Sequence, residues 1–320
     1  MSTPNRRTAL GILAGVAGAV AAGAPLVSQA ADPIKLRAAA LPILDTAPFY
    51  VALDQGFFTN LGLDVSIAPE YTGTVGLSGA IAGGYDIVYT NIPSALSAIQ
   101  QGIDLRFISM GNGMGPPDST SLLVRKGENL RGPKDFAGKS IGVNGLKSLQ
   151  WMVMRAWLKA GGVEPDQVTL RDVPFPQMLD ALKTKQVDGI FAIEPFLSSD
   201  LQDPTVDVAG KPFDVIPHVR PAAWVATGDY IQKNPQTVKL FYAGMVKGAA
   251  WINANVTSPT FVRIVSGYTK LPPAKVASMK NPKMMADLDL NDLRRLAQLM
   301  RETGLLTSTA DPAKNAFVAK

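Results

Sequence analysis

The sequence has no cysteine and only one histidine among its 320 residues. The absence of thiols excludes disulfides, cysteine-ligated zinc, iron–sulfur clusters, cysteine nucleophiles and a lipid-modified cysteine. The lone histidine, His218, cannot build a histidine-cluster metal site, and no visible pattern places it in a nucleophilic triad. We therefore expect a protein without a metal, a cofactor or catalytic residues.

The chain also lacks concentrated charge. Charged residues make up 18% of it, the formal net charge is +5, and the basic residues are spread along the chain. Basic clusters interleaved with aromatic residues, which are typical of nucleic-acid interfaces, do not occur. Nucleic acid is therefore not an expected partner. The length, together with an apolar fraction of 47%, suffices for two domains with cores of their own.

The first 30 residues show the pattern of an export signal peptide. Arg6 and Arg7 form a positive start, residues 10–24 are a run of small apolar residues, and Ser28-Gln29-Ala30 presents small residues at the positions that a signal peptidase reads. We expect cleavage after Ala30. The arginine pair is similar to a twin-arginine signal, so the Sec and Tat routes both stay open. An uncleaved membrane anchor is the weaker alternative, because the run is short for a span.

Beyond the signal, strand-like and helix-like segments alternate with short links, which predicts an α/β fold. Dense glycine and proline at residues 111–118, and proline again over 203–221, predict two segments where the chain crosses between lobes. We expect lobe 1 to comprise residues 34–117 and 217–320, and lobe 2 to comprise residues 118–216.

An apolar strand that runs into a helix start occurs twice. Asp86 precedes a short apolar run that reaches Asn91 and Pro93, and Asp188 precedes a similar run that reaches Pro195 at the same interval. Asparagine is a good N-cap, and proline fits the first helical turn because it has no N–H to leave unpaired. Two such turns predict two related lobes, each aiming a helix N-terminus at a shared cleft.

Several segments, taken in order, resemble the nitrate/sulfonate/taurine and thiamine-precursor group of ABC-transporter substrate-binding proteins. They are residues 48–52, 55–58, 62–65 and 134–143, residues 85–87 with Pro93 and Ala98, and Ile193-Glu194-Pro195-Phe196. The last segment is similar to the tryptophan–aspartate–proline–tyrosine turn of that family, although its first two residues differ. The resemblance covers residues 34–255.

This resemblance implies the type II periplasmic binding protein fold, in which two α/β lobes joined by two crossing segments close over a small ligand. It implies a non-enzymatic, monomeric receptor in the periplasm. Such a receptor delivers its ligand to an ABC permease with its ATPase and meets the membrane only through that permease. The expected ligand is a small organic anion or zwitterion of the sulfonate or taurine type.

Other functions on this fold are less favoured by the sequence. A pyrimidine-precursor binding protein remains an alternative, whereas a synthase-like enzyme of the same branch would need a cysteine-rich stretch that this chain lacks. The ligand-sensing domain of a transcription regulator would carry a DNA-binding helix-turn-helix in place of the export signal. The ligand stays open among sulfonates, taurine, nitrate, carboxylates and pyrimidines.

Ligands of α/β sheets sit beyond the carboxyl ends of the strands, so the residues that follow the strands are the candidates. The helix starts among them present backbone N–H groups that would attract an anionic group. Two tryptophans are candidates to cover an apolar ligand body. The predicted ligand-binding residues are Thr46, Thr90, Asn91, Lys147, Ser148, Trp151, Glu194 and Trp224.

Each of these candidates also has a purely structural explanation. The threonines and Asn91 are suited to capping helices, Lys147 to a solvated surface, and the tryptophans to a core. Glu194 is the most informative candidate. A carboxylate beside an anion would repel it, unless the carboxylate pairs with Lys147 or with an amine on the ligand.

Overall fold

The computed structural model describes residues 32–70, 72–111, 119–279 and 283–317. The described residues from Pro33 onward belong to one compact unit. The predicted signal peptide and most of the predicted first crossing lie outside the described residues, so both stay predictions.

Strands and helices alternate over much of the chain up to the last described strand, as the sequence predicted, and helices follow that strand. The strands are β1 (Ile34–Ala40), β2 (Leu63–Pro69), β3 (Ile87–Asn91), β4 (Leu105–Met110), β5 (Thr120–Arg125), β6 (Ser140–Val143), β7 (Thr169–Asp172), β8 (Gly189–Ile193), β9 (Val206–Gly210) and β10 (Ala222–Thr227). The helices are α1 (Ala47–Asp54), α2 (Gly73–Ile81), α3 (Ile92–Gln100), α4 (Leu149–Ala160), α5 (Met178–Lys183), α6 (Phe196–Asp200), α7 (Gly228–Lys233), α8 (Pro235–Asn255), α9 (Pro259–Thr269), α10 (Pro273–Ala277) and α11 (Leu290–Glu302). None of the helices in the described ranges is long and apolar enough to cross a bilayer.

The strands form two five-stranded sheets, with the orders β2-β1-β3-β10-β4 and β7-β6-β8-β5-β9. In each sheet the central strand, β3 or β8, pairs in parallel on one side and antiparallel on the other, with a strand that enters from a crossing. The chain leaves the first sheet after Met110 and returns to it at Ala222. The α/β architecture with two lobes is therefore confirmed, while the residue limits of the lobes stay predictions.

The second crossing is shorter than the sequence indicated. Residues 203–221 were expected to form it, but Val206–Gly210 is the edge strand β9, paired antiparallel with β5. The prolines that suggested a loop, Pro204 and Pro212, lie on either side of β9, so the backbone donors of that strand are intact.

The two aspartates of the repeated turn have the same structural role. Asp86 accepts a hydrogen bond from the backbone N–H of Arg37 at 2.7 Å, and Asp188 accepts one from the backbone N–H of Ser140 at 2.8 Å. Each aspartate also donates its own backbone N–H to the carbonyl of that same partner. The repeat in the sequence therefore marks the two positions where a central strand is fastened to its parallel neighbour.

The core of lobe 1 is aromatic and is closed by two helices. Trp224 of β10 is fully buried, with its ring centroid 4.7 Å from that of Phe49 in α1 and 5.3 Å from that of Phe241 in α8. Helix α8 approaches α1 closely at Gly248, where a Cβ atom would lie 2.1 Å from the carbonyl oxygen of Pro48. Only glycine permits this approach of the two backbones.

Gly248→Ala should therefore lower the free energy of unfolding by about 1–3 kcal/mol, because the added methyl group forces α1 and α8 apart. Gly267→Ala is the matched control, since Gly267 is also helical but exposed, with no atom near its missing Cβ. Alanine there should raise stability by about 0.5–1 kcal/mol. Urea unfolding of both variants measures the difference, and equal stabilities would contradict the close packing of α1 against α8.

Candidate functional site

A cavity of about 740 Å³, counted with the open space at its mouth, lies between the facing edges of the two sheets. Its wall combines apolar side chains, hydroxyl and amide groups, and two carboxylates. The lining residues are Leu41, Ile43, Leu44, Asp45, Gly73, Tyr89, Asn91, Ser119, Thr120, Asn144, Ser148, Leu149, Gln150, Phe175, Ile193, Glu194, Phe213, Pro221 and Ala222.

The strand directions explain why these residues meet. Asp45, Asn91, Asn144 and Glu194 end or follow β1, β3, β6 and β8, whose carboxyl ends point to the cavity edge of their sheets. Thr120 begins β5, which runs antiparallel to β8, so its amino end lies at the same edge. This edge is where open α/β sheets bind their ligands.

Two hydroxyl groups in the wall have no hydrogen-bond partner among the described residues. Ser148 at the N-terminus of α4 is 1% exposed, and Thr120 is 4% exposed. Neither hydroxyl has a hydrogen-bond partner within the described part of the chain. A serine at this position of a helix usually accepts from a first-turn N–H, and Ser148 does not. Because buried polar groups are nearly always bonded, these two hydroxyls are suited to bind a ligand.

The two ionisable acids among the described lining residues, Asp45 and Glu194, come from different lobes. Asp45 of lobe 1 accepts a 3.3 Å hydrogen bond from the Tyr89 hydroxyl. Burial, followed by the charge of Asp45, raises the pKa of Tyr89 well above its usual value, so the phenol stays protonated and donates. Glu194 of lobe 2 is buried and accepts from the Ser198 hydroxyl at 2.6 Å and from the Ser198 N–H at 3.2 Å. Both lobes therefore contribute a carboxyl group to the described wall.

The amide side chains hold the loops of the wall in place. Gln150 accepts from the backbone N–H of Asn144 at 2.7 Å and donates to the carbonyl of Phe191 at 2.9 Å. Asn91 caps α3 by accepting from the backbone N–H of Ser94 at 2.9 Å. The cap uses only the amide oxygen of Asn91, so its NH₂ group remains a donor beside the cavity.

Three of the predicted ligand residues, Asn91, Ser148 and Glu194, line this cavity. Thr46 and Thr90 do not, since both are fully buried and bonded elsewhere. The hydroxyl of Thr46 donates to two carbonyls of its own loop at 2.7 and 2.8 Å, and that of Thr90 donates to the carbonyl of Gly73 at 2.9 Å. These hydroxyls stabilise the loops that carry the wall.

Lys147, Trp151 and Trp224 also lie outside the cavity wall. Lys147 is exposed, with a φ of 58° that turns the chain into Ser148. Trp151 is half-buried, with the guanidinium of Arg155 4.7 Å from its ring centroid, and Trp224 belongs to the core of lobe 1. The described residues of the cavity wall therefore include neither Lys147 nor a tryptophan.

Sequence reasoning missed several lining residues, among them Asp45, Thr120, Phe175 and Phe213. The sequence did contain a signal for Asp45, because this residue lies next to Thr46 in the loop after β1, where ligand-binding residues were predicted. Phe213 follows β9, which was not predicted, so nothing in the pattern pointed to it. Among the described residues, no group of histidine, aspartate or glutamate side chains is arranged to hold a metal ion.

The two lobes are in contact at the cavity and beside it. The backbone N–H of Leu44 donates to the carbonyl of Glu194 across the cleft at 3.4 Å. Farther out, the Nζ atom of Lys275 in α10 lies 3.0 Å from the hydroxyl of Ser199 in α6. The lobes therefore touch each other at the cavity and beside it.

Comparison with known proteins identifies the family of this chain. A family model described as NMT1/THI5-like matches residues 44–256, about two thirds of the chain. The chain belongs to the NMT1/THI5-like family.

Curated relatives of this NMT1/THI5-like chain are distant in sequence. The nitrate/nitrite binding protein NrtA of a Nostoc species is 24% identical over 268 residues, covering 77% of this chain and 59% of that protein. The taurine-binding periplasmic protein of Escherichia coli is 26% identical over 165 residues, covering 51% of this chain and 49% of that protein. The chain thus spans about half to three fifths of the length of these relatives.

Solved structures resemble the NMT1/THI5-like chain over most of its length. The alkanesulfonate-binding protein SsuA of Xanthomonas axonopodis pv. citri, bound to MOPS, has a TM-score of 0.78 at 17% identity, covering 91% of this chain and 100% of that one. The nitrate-binding protein NrtA of Synechocystis has a TM-score of 0.75 at 15% identity, covering 88% and 85%. The expected type II periplasmic binding protein fold is therefore confirmed.

Ser148→Ala should leave the ligand-free stability unchanged or raise it, because the hydroxyl forms no hydrogen bond with the described residues that the substitution would break. Ser109→Ala is the matched control. Ser109 is fully buried, and its hydroxyl donates to the carbonyl of Ala286 at 2.8 Å, so this variant should lose about 1 kcal/mol. Urea unfolding without added solute distinguishes the two. A clear loss in Ser148→Ala would mean that its hydroxyl is bonded within the protein.

Asp200, at the end of α6, should make stability depend on pH. Burial raises its pKa to about 7, so the folded state holds a proton that the unfolded state releases. Stability should therefore fall as the pH rises from about 4 to about 7. Asp200→Asn should flatten this slope, whereas Asn at the exposed Asp64 should retain it. An unchanged slope in Asp200→Asn, measured by urea unfolding across this range, would contradict the assignment.

Proposed function

We propose that the protein is the solute-binding receptor of an ABC importer, exported to the periplasm as a monomer through its signal peptide. It captures a small solute between its lobes and delivers it to a permease driven by an ATPase, without changing the solute chemically. The observation that carries the proposal is the cavity at the shared sheet edge, with the unpartnered hydroxyls of Ser148 and Thr120 in its wall.

The named relatives support a transport role. Besides the nitrate and taurine binding proteins, the nitrate import ATP-binding protein NrtC and the bicarbonate transport ATP-binding protein CmpC of Synechocystis match 52% of this chain each. Their names connect this sequence type with ATP-driven import. A permease gene and an ATPase gene beside the gene for this protein would support the same role.

The absence of an activated nucleophile in the wall supports binding without catalysis. A catalytic serine or threonine needs a base within hydrogen-bond reach, and the hydroxyls of Ser148 and Thr120 have no partner in the described residues. No histidine or cysteine lines the described cavity. These observations favour a receptor over a synthase-like enzyme on the same fold.

A small organic anion or zwitterion of the sulfonate or taurine type suits one end of the cavity. Ser148 is the N-cap residue of α4, and the first two residues of the helix, Leu149 and Gln150, also line the wall. The first-turn N–H groups and the positive end of the helix dipole favour a negative group there. A pyrimidine precursor is the second candidate, because the carboxylates of Asp45 and Glu194 are acceptors for its ring and amino nitrogens.

The receptor proposal is tested by thermal unfolding of the mature chain with sulfonates, taurine, nitrate, carboxylates and pyrimidines. A solute that binds only the folded state raises the midpoint, by an amount that grows with its concentration. For that solute, Ser148→Ala should lower the affinity by about one to two decades, through loss of a hydrogen bond to a charged group. Lys147→Ala is the control and should bind normally, because Lys147 is exposed outside the wall. If no solute of the panel shifts the midpoint, the receptor proposal fails.

A further inference from the structure

We propose that the ligand is an aromatic organic acid, with its oxyanion bonded to the hydroxyls of Ser148 and Thr120 and its ring packed against Phe175 and Phe213. The inference rests on the proposed receptor function and narrows its ligand class. It favours a carboxylate or sulfonate that carries a ring over nitrate, bicarbonate and ringless sulfonates such as taurine.

The polar end of the cavity is the first observation. Ser148 is 1% exposed and Thr120 is 4% exposed, both line the cavity, and neither hydroxyl has a hydrogen-bond partner among the described residues. Ser148 is the N-cap residue of the 12-residue helix α4, yet its side chain does not cap that helix. Two hydroxyl donors and the positive end of a helix dipole are therefore available to one acceptor group of the ligand.

A carboxylate or a sulfonate suits this pair of donors. Each of these groups has at least two oxygen atoms, so a single group can accept from both hydroxyls. Its charge makes both hydrogen bonds stronger than those to a neutral oxygen. The first-turn N–H groups of α4 favour the same negative group, whereas an ammonium group would meet donors and a positive dipole end.

The carboxyl groups of the wall have no role in this inference. Asp45 accepts from the Tyr89 hydroxyl at 3.3 Å, and Glu194 accepts from the Ser198 hydroxyl at 2.6 Å. Both acidic residues also have interactions beyond these hydrogen bonds. We therefore assign neither of them to the ligand.

Apolar surface begins directly beside the polar end. Leu149, the residue after Ser148, lines the cavity, and Phe175 and Phe213 line it from two other segments of lobe 2. The loop after β1 covers the cavity from lobe 1 with further apolar side chains, which are Leu41, Ile43 and Leu44. The remainder of a ligand bonded at Ser148 therefore meets apolar surface from both lobes.

The two phenylalanines are held in place by other rings. Phe175 stacks on Phe196 of α6, with ring centroids 6.0 Å apart and an interplanar angle of 13°. Phe213 packs against Phe191 of β8, with centroids 5.6 Å apart. Rings that are already ordered lose little freedom when a ligand binds, so this aromatic surface is pre-organised. A ring on the ligand can bury apolar area against it, whereas nitrate has no such area.

The first test compares solutes on the unchanged mature chain by calorimetry at millimolar concentrations. Benzenesulfonate is compared with methanesulfonate and benzoate with acetate, because each pair shares its oxyanion and differs in the ring. We expect at least one aromatic acid to bind about ten times or more tightly than its ringless partner, and the tighter of the two identifies the oxyanion. Benzyl alcohol, which keeps the ring without the charge, should bind about ten times more weakly than that acid.

The second test changes the assigned residues. Thr120→Val preserves the shape of the side chain and should weaken the tighter aromatic acid about tenfold, through loss of one hydrogen bond to a charged group. Thr169→Val is the matched control and should bind normally, because Thr169 also begins a strand of lobe 2 but is exposed outside the wall.

Phe213→Leu and, independently, Phe175→Leu should each weaken the aromatic acid about twofold to tenfold and leave the affinity for its ringless partner unchanged. Phe57→Leu is the control for both, since Phe57 lies outside the wall. Urea unfolding establishes that each variant is folded. If one phenylalanine variant does not fold, the other variant and the comparison of solutes decide the matter.

Equal or tighter binding of the ringless acids would overturn the inference, and so would the absence of binding by both aromatic acids. Benzyl alcohol that binds as tightly as the aromatic acid would overturn the oxyanion. Unchanged affinity in folded Thr120→Val, or in both phenylalanine variants, would overturn the assigned residues. These results are distinct from failure of the receptor proposal. A ringless solute whose affinity falls in Ser148→Ala would sustain the receptor and refute only the aromatic acid, whereas a chain that binds no solute at all would refute both.

Discussion

The cavity exists because both sheets end their parallel strands at one shared edge. Each strand that ends at this edge is followed by a loop or by the first turn of a helix. In both sheets, neighbouring strands end in this way, so their loops and helix starts lie side by side. The antiparallel strands β5 and β10 contribute the beginnings of their runs to the same edge. Residues far apart in sequence, such as Asp45, Thr120 and Glu194, therefore become neighbours through backbone direction alone.

The strand ends must be held in register for this arrangement to work. Asp86 and Asp188 do so at the opposite ends of β3 and β8, each bonded in both directions to the strand beside it. Closer to the cavity, Gln150 joins the loop after β6 to β8. The polar groups that fix the backbone thus form hydrogen bonds within the protein, whereas the hydroxyls of Ser148 and Thr120 form none with the described residues. This difference separates the scaffold from the surface that meets a solute.

Features governed by the backbone were accessible from the sequence. The repeated interval from aspartate to proline revealed two related lobes, and the strand-to-helix turns placed Asn91 and Ser148 at the cavity. Both residues are helix N-caps, so their positions follow from where a strand must end and a helix must begin. The edge strand β9 was concealed by the prolines that flank it.

Features governed by side-chain direction were not accessible in the same way. Thr46 and Asp45 are adjacent in one loop, yet only Asp45 faces the cavity, because the Thr46 hydroxyl is held by carbonyls of the loop itself. Trp224 lies in the strand that borders the cavity, but it pairs with Tyr89 and turns its ring toward α1 and α8. Tertiary packing decides whether such a side chain faces the cavity or the core, and the local sequence pattern carries no information about that packing.

The placement of the tryptophans has a consequence for optical measurements. All four tryptophans of the chain lie in its described part, and none of them lines the cavity. Trp224 is sealed in a core, while Trp157 packs against Gly210, where the chain leaves β9 for the second crossing. A solute in the cavity therefore has no indole ring to quench by contact. Indole emission therefore gives no direct reading of whether the cavity is occupied.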